Sequence, residues 1–200
     1  RLLSLLREAG KAVAYTPSDV SVTMVLVARE TAISIVGGDG SFPLVCDLAT
    51  ADDLPAVLAQ QTVEGSGRLY TFFGMIPNFE PDVIVPRLAA LVRSGDFLLF
   101  SANLAPGSDY DAGMRRVLPL YDNPLTRDWL MTFLIELGVD ATDGELSFRI
   151  EEGMAELKRI GAYFKFERSR RIEVEGEPFE FVRGETIRLF FSYRHTPARV

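Results

Sequence analysis

The sequence is short of the residues that most enzyme chemistry leans on, with one cysteine and one histidine in 200 positions. Cys46 by itself makes neither a disulfide framework nor a thiolate metal cluster, which suits a reducing, cytoplasmic setting. With His195 as the only imidazole, acid–base triads and nitrogen-rich metal sites lack their usual groups. Carboxylates alone remain as ligands, and no metal is expected. Long apolar runs are missing too: none nears the roughly 20 residues that cross a bilayer, and none reads as a signal peptide, so no membrane partner is expected. Basic residues are in deficit, 21 Lys and Arg against 28 Asp and Glu. The net charge of -7 argues against a nucleic-acid partner, because phosphate contacts need a concentrated basic face. Arg168, Arg170 and Arg171 cluster, but Glu167, Glu173 and Glu175 surround them, and the stretch reads as a solvated strand face.

What is present suits a folded chain: 48% of residues are apolar, and the length fits one domain with room for a small subdomain. Leu2, Leu3, Leu5 and Leu6 followed by Gly10 read as the last turns of a helix and its closing glycine. Arg1 opens inside that segment with no cap before it, so the chain is expected to be cut from something longer. Residues 12–15 read as a short strand. Ser21 caps a helix carrying Val22, Val25, Leu26, Ile33 and Val36, although that density of Val and Ile also permits a strand. A glycine-rich turn at 37–40 leads to a strand at 42–46, a short helix at 52–60 and a strand at 69–73 that breaks at Gly74. A helix at 81–93 and a strand at 96–102 follow. The latter is rich in Phe and Leu with little alternation, as expected where both faces are covered. Helices at 109–120 and 124–137 come next, and period-two patterns at 146–150, 155–168, 172–174 and 185–194 predict antiparallel strands. The order implies an α/β sheet, parallel in its first part and antiparallel at one edge, with right-handed crossovers.

By this reading Asp19, Asp47 and Asn78 each lie just past the carboxyl end of a successive strand, where ligands gather in open α/β sheets. One carboxylate there can take two hydrogen bonds from ribose hydroxyls. A second can accept from an adenine amino group, with Leu48 offering an apolar contact to the ring. The plainer account is that both acids cap the segments that follow. Asn78 carries an amide able both to donate and to accept.

The order Tyr15-Thr16-Pro17-Ser18-Asp19-Val20-Ser21, Cys46-Asp47-Leu48, Phe73-Gly74-Met75-Ile76-Pro77-Asn78-Phe79-Glu80-Pro81 and Gly184-Glu185-Thr186-Ile187 with Ser192-Tyr193 resembles the histidine-specific S-adenosylmethionine-dependent methyltransferase family. That family includes the histidine α-amine trimethylating enzyme of ergothioneine synthesis. The resemblance implies a Rossmann-like methyltransferase sheet and S-adenosylmethionine as cofactor. Residues 1–103 would be a partial cofactor-binding part, 104–145 a helical insertion lining the acceptor pocket, and 146–200 the antiparallel strands completing sheet and pocket. It further implies that Asp19 holds the ribose and that Asp47 with Leu48 frames the adenine. Asn78 would bind the polar head of an amino-acid or small-amine acceptor, Tyr121 its carboxylate and amine end, and Ser192 its side chain.

Two departures from the family pattern matter. Phe190 stands where histidine-methylating members have a glutamate for the imidazole, and a phenyl ring accepts no imidazole hydrogen bond, so histidine itself is not the expected acceptor. The family's first strand and glycine-rich loop have no counterpart in these residues, so a further segment or a second chain is expected to complete the sheet. Methyl transfer from a sulfonium needs orientation more than acid–base groups, and no catalytic residue is singled out. The rival expectation is a non-catalytic relative acting as a binding or assembly protein.

The remaining residues read as structural. Trp129 and Phe133, four apart on a helix, are expected to face the core, and Met114 and Met131 to pack there. Cys46 is expected to be buried and inert, and His195 to lie at the surface. Tyr163 and Tyr193 read as strand residues with partly buried rings, while Tyr121 divides between acceptor contact and packing at the helix junction.

Overall fold

The computed structural model describes residues 1–61 and 65–199. They form a mixed α/β structure with six α-helices and both parallel and antiparallel strand pairs among the described residues. The chain divides into two compact units, Arg1–Ser66 with Arg87–Leu91, and Gly67–Pro86 with Val92–Val200.

In the first unit, α1 (Leu2–Glu8) lies against α2 (Val22–Val36), and β1 (Ser18–Asp19) pairs in parallel with β2 (Leu44–Val45). The Ser21 hydroxyl accepts from the Met24 amide at 3.3 Å, the capping bond expected there, and such a bond stabilises a helix by about 1 kcal/mol. The strand expected at 12–15 sits further along. Pairing begins at Tyr15, which bridges Ser41, and reaches Asp19 opposite Val45. Pro17 splits the ladder because it has no N–H to donate, while its carbonyl still accepts from the Leu44 amide at 2.9 Å. A short α3 (Leu54–Gln60) follows.

The second unit opens with β3 (Leu69–Phe73), a 3-10 turn at Ile76–Asn78, the first half of α4 (Pro81–Leu91), whose Arg87–Leu91 end belongs to the first unit, and β4 (Phe97–Ser101). The two strands run parallel from Leu69 opposite Phe97 to Phe73 opposite Ser101. The double coverage expected for β4 is absent: Phe97 is 70% exposed, and Leu99 and Phe100 are exposed too. An apolar run marks a strand fit for burial on both faces, but in this two-stranded sheet those side chains remain open.

Next come α5 (Tyr110–Tyr121), α6 (Pro124–Glu136), β5 (Gly144–Glu152), β6 (Lys158–Phe166), β7 (Arg170–Val174), β8 (Glu177–Phe181) and β9 (Thr186–Arg194). The order β5-β6-β9 makes a three-stranded antiparallel sheet, and β7-β8 a hairpin. The hairpin closes at Glu175 and Gly176, both at positive φ, as a tight primed turn requires. Strand β8 was not expected, because Pro178 and interleaved glutamates hide its alternation.

The core belongs to this half. Leu130 and Leu134 of α6 pack with Leu146, Ala162, Phe164 and Phe166, while Met114 and Val117 of α5 pack with Ile160. Phe164 and Phe166 are fully buried, and truncating either to alanine should cost roughly 3–5 kcal/mol. Trp129 and Phe133 do share a helix face, but that face is turned outward, and they are 61% and 52% exposed. Their neighbours Leu130 and Leu134 take the core instead. Periodicity identifies the residues on a common face without saying which face is inward. Two of the three arginines of the expected solvated strand face depart from it: Arg168 and Arg170 both pair with the fully buried Asp143, while Arg171 stays exposed beside the exposed Glu180.

Candidate functional site

Strand alternation gives the three-stranded sheet two unlike faces. Ile160, Ala162 and Phe164 of β6 stand opposite Ser192, Phe190 and Ile187 of β9, and this side packs on α5 and α6. Arg159, Gly161 and Tyr163 stand opposite Tyr193, Phe191 and Arg188 on the other side. Between Phe190 and Arg188 the register slips, leaving Leu189 as an extra residue. This bulge re-aims the strand: unbroken alternation would put Arg188 beside Phe190, but the bulge carries it to the side of Phe191 and Tyr193. Its guanidinium lies 4.7 Å from the centre of the Phe191 ring.

On the helix side, residues distant in sequence meet. Tyr121, the last residue of α5, donates its hydroxyl to the Ser192 hydroxyl at 3.1 Å and accepts a hydrogen bond from Arg194. Its ring stacks on Phe190 with centroids 5.5 Å apart, and Trp129 meets Phe190 edge-on at 6.5 Å. Asn123 fixes the helix junction, its side-chain oxygen accepting from the Thr126 amide at 3.1 Å and its amide donating to the Leu120 carbonyl at 2.8 Å. Tyr121 therefore both packs at the junction and takes part in the cluster.

The opposite face holds an ion network. Tyr193 donates to Glu80 at 2.6 Å, and Arg159 bonds both Glu80 and Glu151, the latter at 2.6 Å. Tyr163 also donates to Glu151 at 2.7 Å. Burial pushes the Glu151 carboxyl up, but the bonds from Tyr163 and Arg159 outweigh it and hold the group below the ordinary carboxylate range. Burial raises the Tyr193 phenol, and its bond to Glu80 adds to that. Two glycines make room: a Cβ on Gly153 would collide with the Tyr193 ring, and one on Gly161 with the Tyr163 ring.

The structure thus brings together Tyr121, Phe190 and Ser192, three of the residues singled out for an acceptor. Asn78 is exposed in the 3-10 turn, which packs against β9. Asp19, Asp47 and Leu48 belong to the other unit. There Asp19 accepts from the Ser21 amide and Asp47 from the Ala49 amide, each at 2.9 Å, local turn bonds two residues long, while the cap of α2 is Ser21 and α3 begins only at Leu54. The two carboxylates also share a neighbour. Burial pushes the half-buried Cys46 thiol up, and the charges of Asp47, Asp53 and Asp19 push it further.

His195 is buried, against expectation, at 7% exposure. Its amide donates to the Asn103 carbonyl and its carbonyl accepts from the Ala105 amide, both at 2.9 Å, which draws the end of β9 under the chain that follows β4. Burial, with a smaller contribution from Arg194, lowers its pKa.

Arg194, Glu80 and Arg159 escaped the sequence reading. Arg194 carried a signal, since it lies two residues beyond Ser192 on the same strand face; Glu80 and Arg159 carried none, because their partners are remote. Among the described residues no group of three or more His, Cys, Asp or Glu side chains is placed to hold a metal ion, and no helix is long and apolar enough to cross a membrane. Comparison with protein-family models gave no match, and neither did a search of the curated proteins.

Proposed function

We propose that this chain is part of an S-adenosylmethionine-dependent N-methyltransferase of the histidine-specific type, acting in the cytoplasm on an amino acid or small amine other than histidine. The observation that carries the reading is the meeting of Tyr121, Phe190 and Ser192 in one cluster on one sheet face. The parallel pairs β1–β2 and β3–β4 support a Rossmann-like arrangement, as do the acids Asp19 and Asp47 at the ends of two neighbouring strands.

The chemistry asked of the protein is orientation. S-adenosylmethionine, when bound, would supply the methyl group to the unprotonated acceptor nitrogen and be released as S-adenosylhomocysteine, the proton then lost from the methylated ammonium passing to solvent. Asp19 and Asp47 with Leu48 would hold the adenosine, Asn78 and Tyr121 the polar end of the acceptor, and Ser192 its far end. Phe190 offers an imidazole no hydrogen-bond acceptor, which disfavours histidine.

The second reading, a non-catalytic relative, draws on the way the cluster satisfies itself: the Tyr121 hydroxyl already bonds both Ser192 and Arg194. One assay separates the two. The whole protein that carries this chain is incubated with millimolar S-adenosylmethionine bearing an isotopically labelled methyl group and a mixture of free amino acids, and the products are read by mass spectrometry. A label on the α-amine of a non-histidine amino acid, lost in Asp19→Ala, supports the enzyme. Absence of transfer at saturating cofactor overturns it and leaves the binding protein.

A further inference from the structure

Arg194 stands apart from the other arginines of the antiparallel sheet. Arg149, Arg159 and Arg188 each have a glutamate within ion-pair reach. Arg194 has no carboxylate there among the described residues, and its Nε is buried without a hydrogen-bond partner. The acids at its end of the sheet are already engaged: Glu152, Lys158 and Arg194 form a row across β5, β6 and β9, and Lys158 pairs with both Glu152 and Asp111. The contacts of the Arg194 guanidinium are aromatic instead. It lies 5.2 Å from the centre of the Tyr121 ring and donates to that residue's hydroxyl.

A half-buried guanidinium with an idle donor and no counter-ion is a place for an oxyanion, and a carboxylate matches its planar fork with two parallel hydrogen bonds. Beyond the Tyr121 ring the cluster is apolar. Phe190 stacks on the same Tyr121 ring, and Trp129 stands edge-on to Phe190 while remaining 61% exposed. Leu125, one turn earlier on α6, is 82% exposed. A cation with no carboxylate partner at one end of this aromatic run, and large side chains left open at the other, match the two ends of an amphiphilic ligand.

We propose that Arg194, Tyr121, Phe190 and Trp129 form a binding site for a small carboxylate bearing an aromatic or bulky apolar group. The guanidinium takes the carboxylate, and the Trp129–Phe190 pair takes the apolar group. This rests in part on the acceptor reading above and deepens it, because an aromatic α-amino acid meets both halves of the site. Its test involves neither cofactor nor methyl transfer, so either idea can fail without the other.

Trp129 is the only tryptophan in the chain, so its emission reports this site alone. The unaltered protein is titrated with 3-phenylpropionate, L-phenylalanine, phenethylamine and acetate. Saturable changes are expected with the first two, with phenethylamine and acetate at least about tenfold weaker, as for loss of a charge-assisted pair or of the buried ring. Arg194→Gln should weaken 3-phenylpropionate by a similar factor and leave phenethylamine unchanged. Arg194→Lys, which keeps the charge but not the fork, should fall between and serves if the glutamine variant does not fold. If neither variant folds, the ligand series on the unaltered protein decides by itself. Equal affinity for phenethylamine and 3-phenylpropionate overturns the proposal, as does wild-type affinity in Arg194→Gln or the absence of any saturable change.

Discussion

The Tyr193 hydroxyl donates to the Glu80 carboxylate at 2.6 Å, joining residues 113 positions apart. Each lies beside a residue assigned to the acceptor: Glu80 is two positions past Asn78, and Tyr193 follows Ser192. Arg159, with its side chain 14% exposed, bonds the same carboxylate. The bond therefore ties the turn before α4 to the sheet that carries Phe190 and Ser192.

Glu80→Gln and Tyr193→Phe should each destabilise the protein by about 1–3 kcal/mol, the usual cost of removing one partner of a charged, partly buried hydrogen bond. Both touch one network, so the double variant should lose clearly less than the sum of the two. Urea denaturation of the three variants measures this. Additive losses, or single losses inside about 0.5 kcal/mol, would show that the contact does not couple these segments.

The His195 pKa is lowered from an ordinary 6.5 by burial first and by Arg194 second. An imidazole lowered on folding stays neutral in the native state and takes up its proton on unfolding. Its contribution to stability is therefore complete above about pH 6.5 and lost as the pH falls below that value. Denaturation midpoints between pH 7.5 and 5 should drop with acid, and His195→Gln should flatten the drop. The carbon-bound imidazole protons followed by NMR give the native pKa directly, and a value at or above 6.5 would contradict the buried placement.

Cys46 is held above its ordinary 9.0 by burial and by three neighbouring carboxylates. The thiolate is the reactive form, so alkylation by iodoacetamide at pH 7.5 should run slower in the folded chain than in the unfolded one. Asp47→Asn removes the largest of the carboxylate contributions and should speed the reaction. Equal rates in the variant and the parent would mean that Asp47 does not face the thiol, and the convergence of Asp19 and Asp47 would lose its support.

Much of the local architecture was legible in the sequence, because its causes act over a few residues. Ser21 as a helix cap and the break between α5 and α6 at Asp122 and Asn123 follow from side chains reaching backbone groups three positions away, and the strand at Leu69–Phe73 from a short apolar run that ends at Gly74. Tyr121 and Ser192 were also marked in advance, though not the bond between them. Only the tertiary structure decided which side of α6 turned inward, choosing Leu130 and Leu134 over Trp129 and Phe133. It also decided that Leu189 bulges and re-aims Arg188, and that Arg194 ends among aromatic rings with no acid beside it. These outcomes depend on register and on packing between segments remote in the chain. A helix with two apolar faces, or a strand that can slip by one residue, settles only when its neighbours are in place.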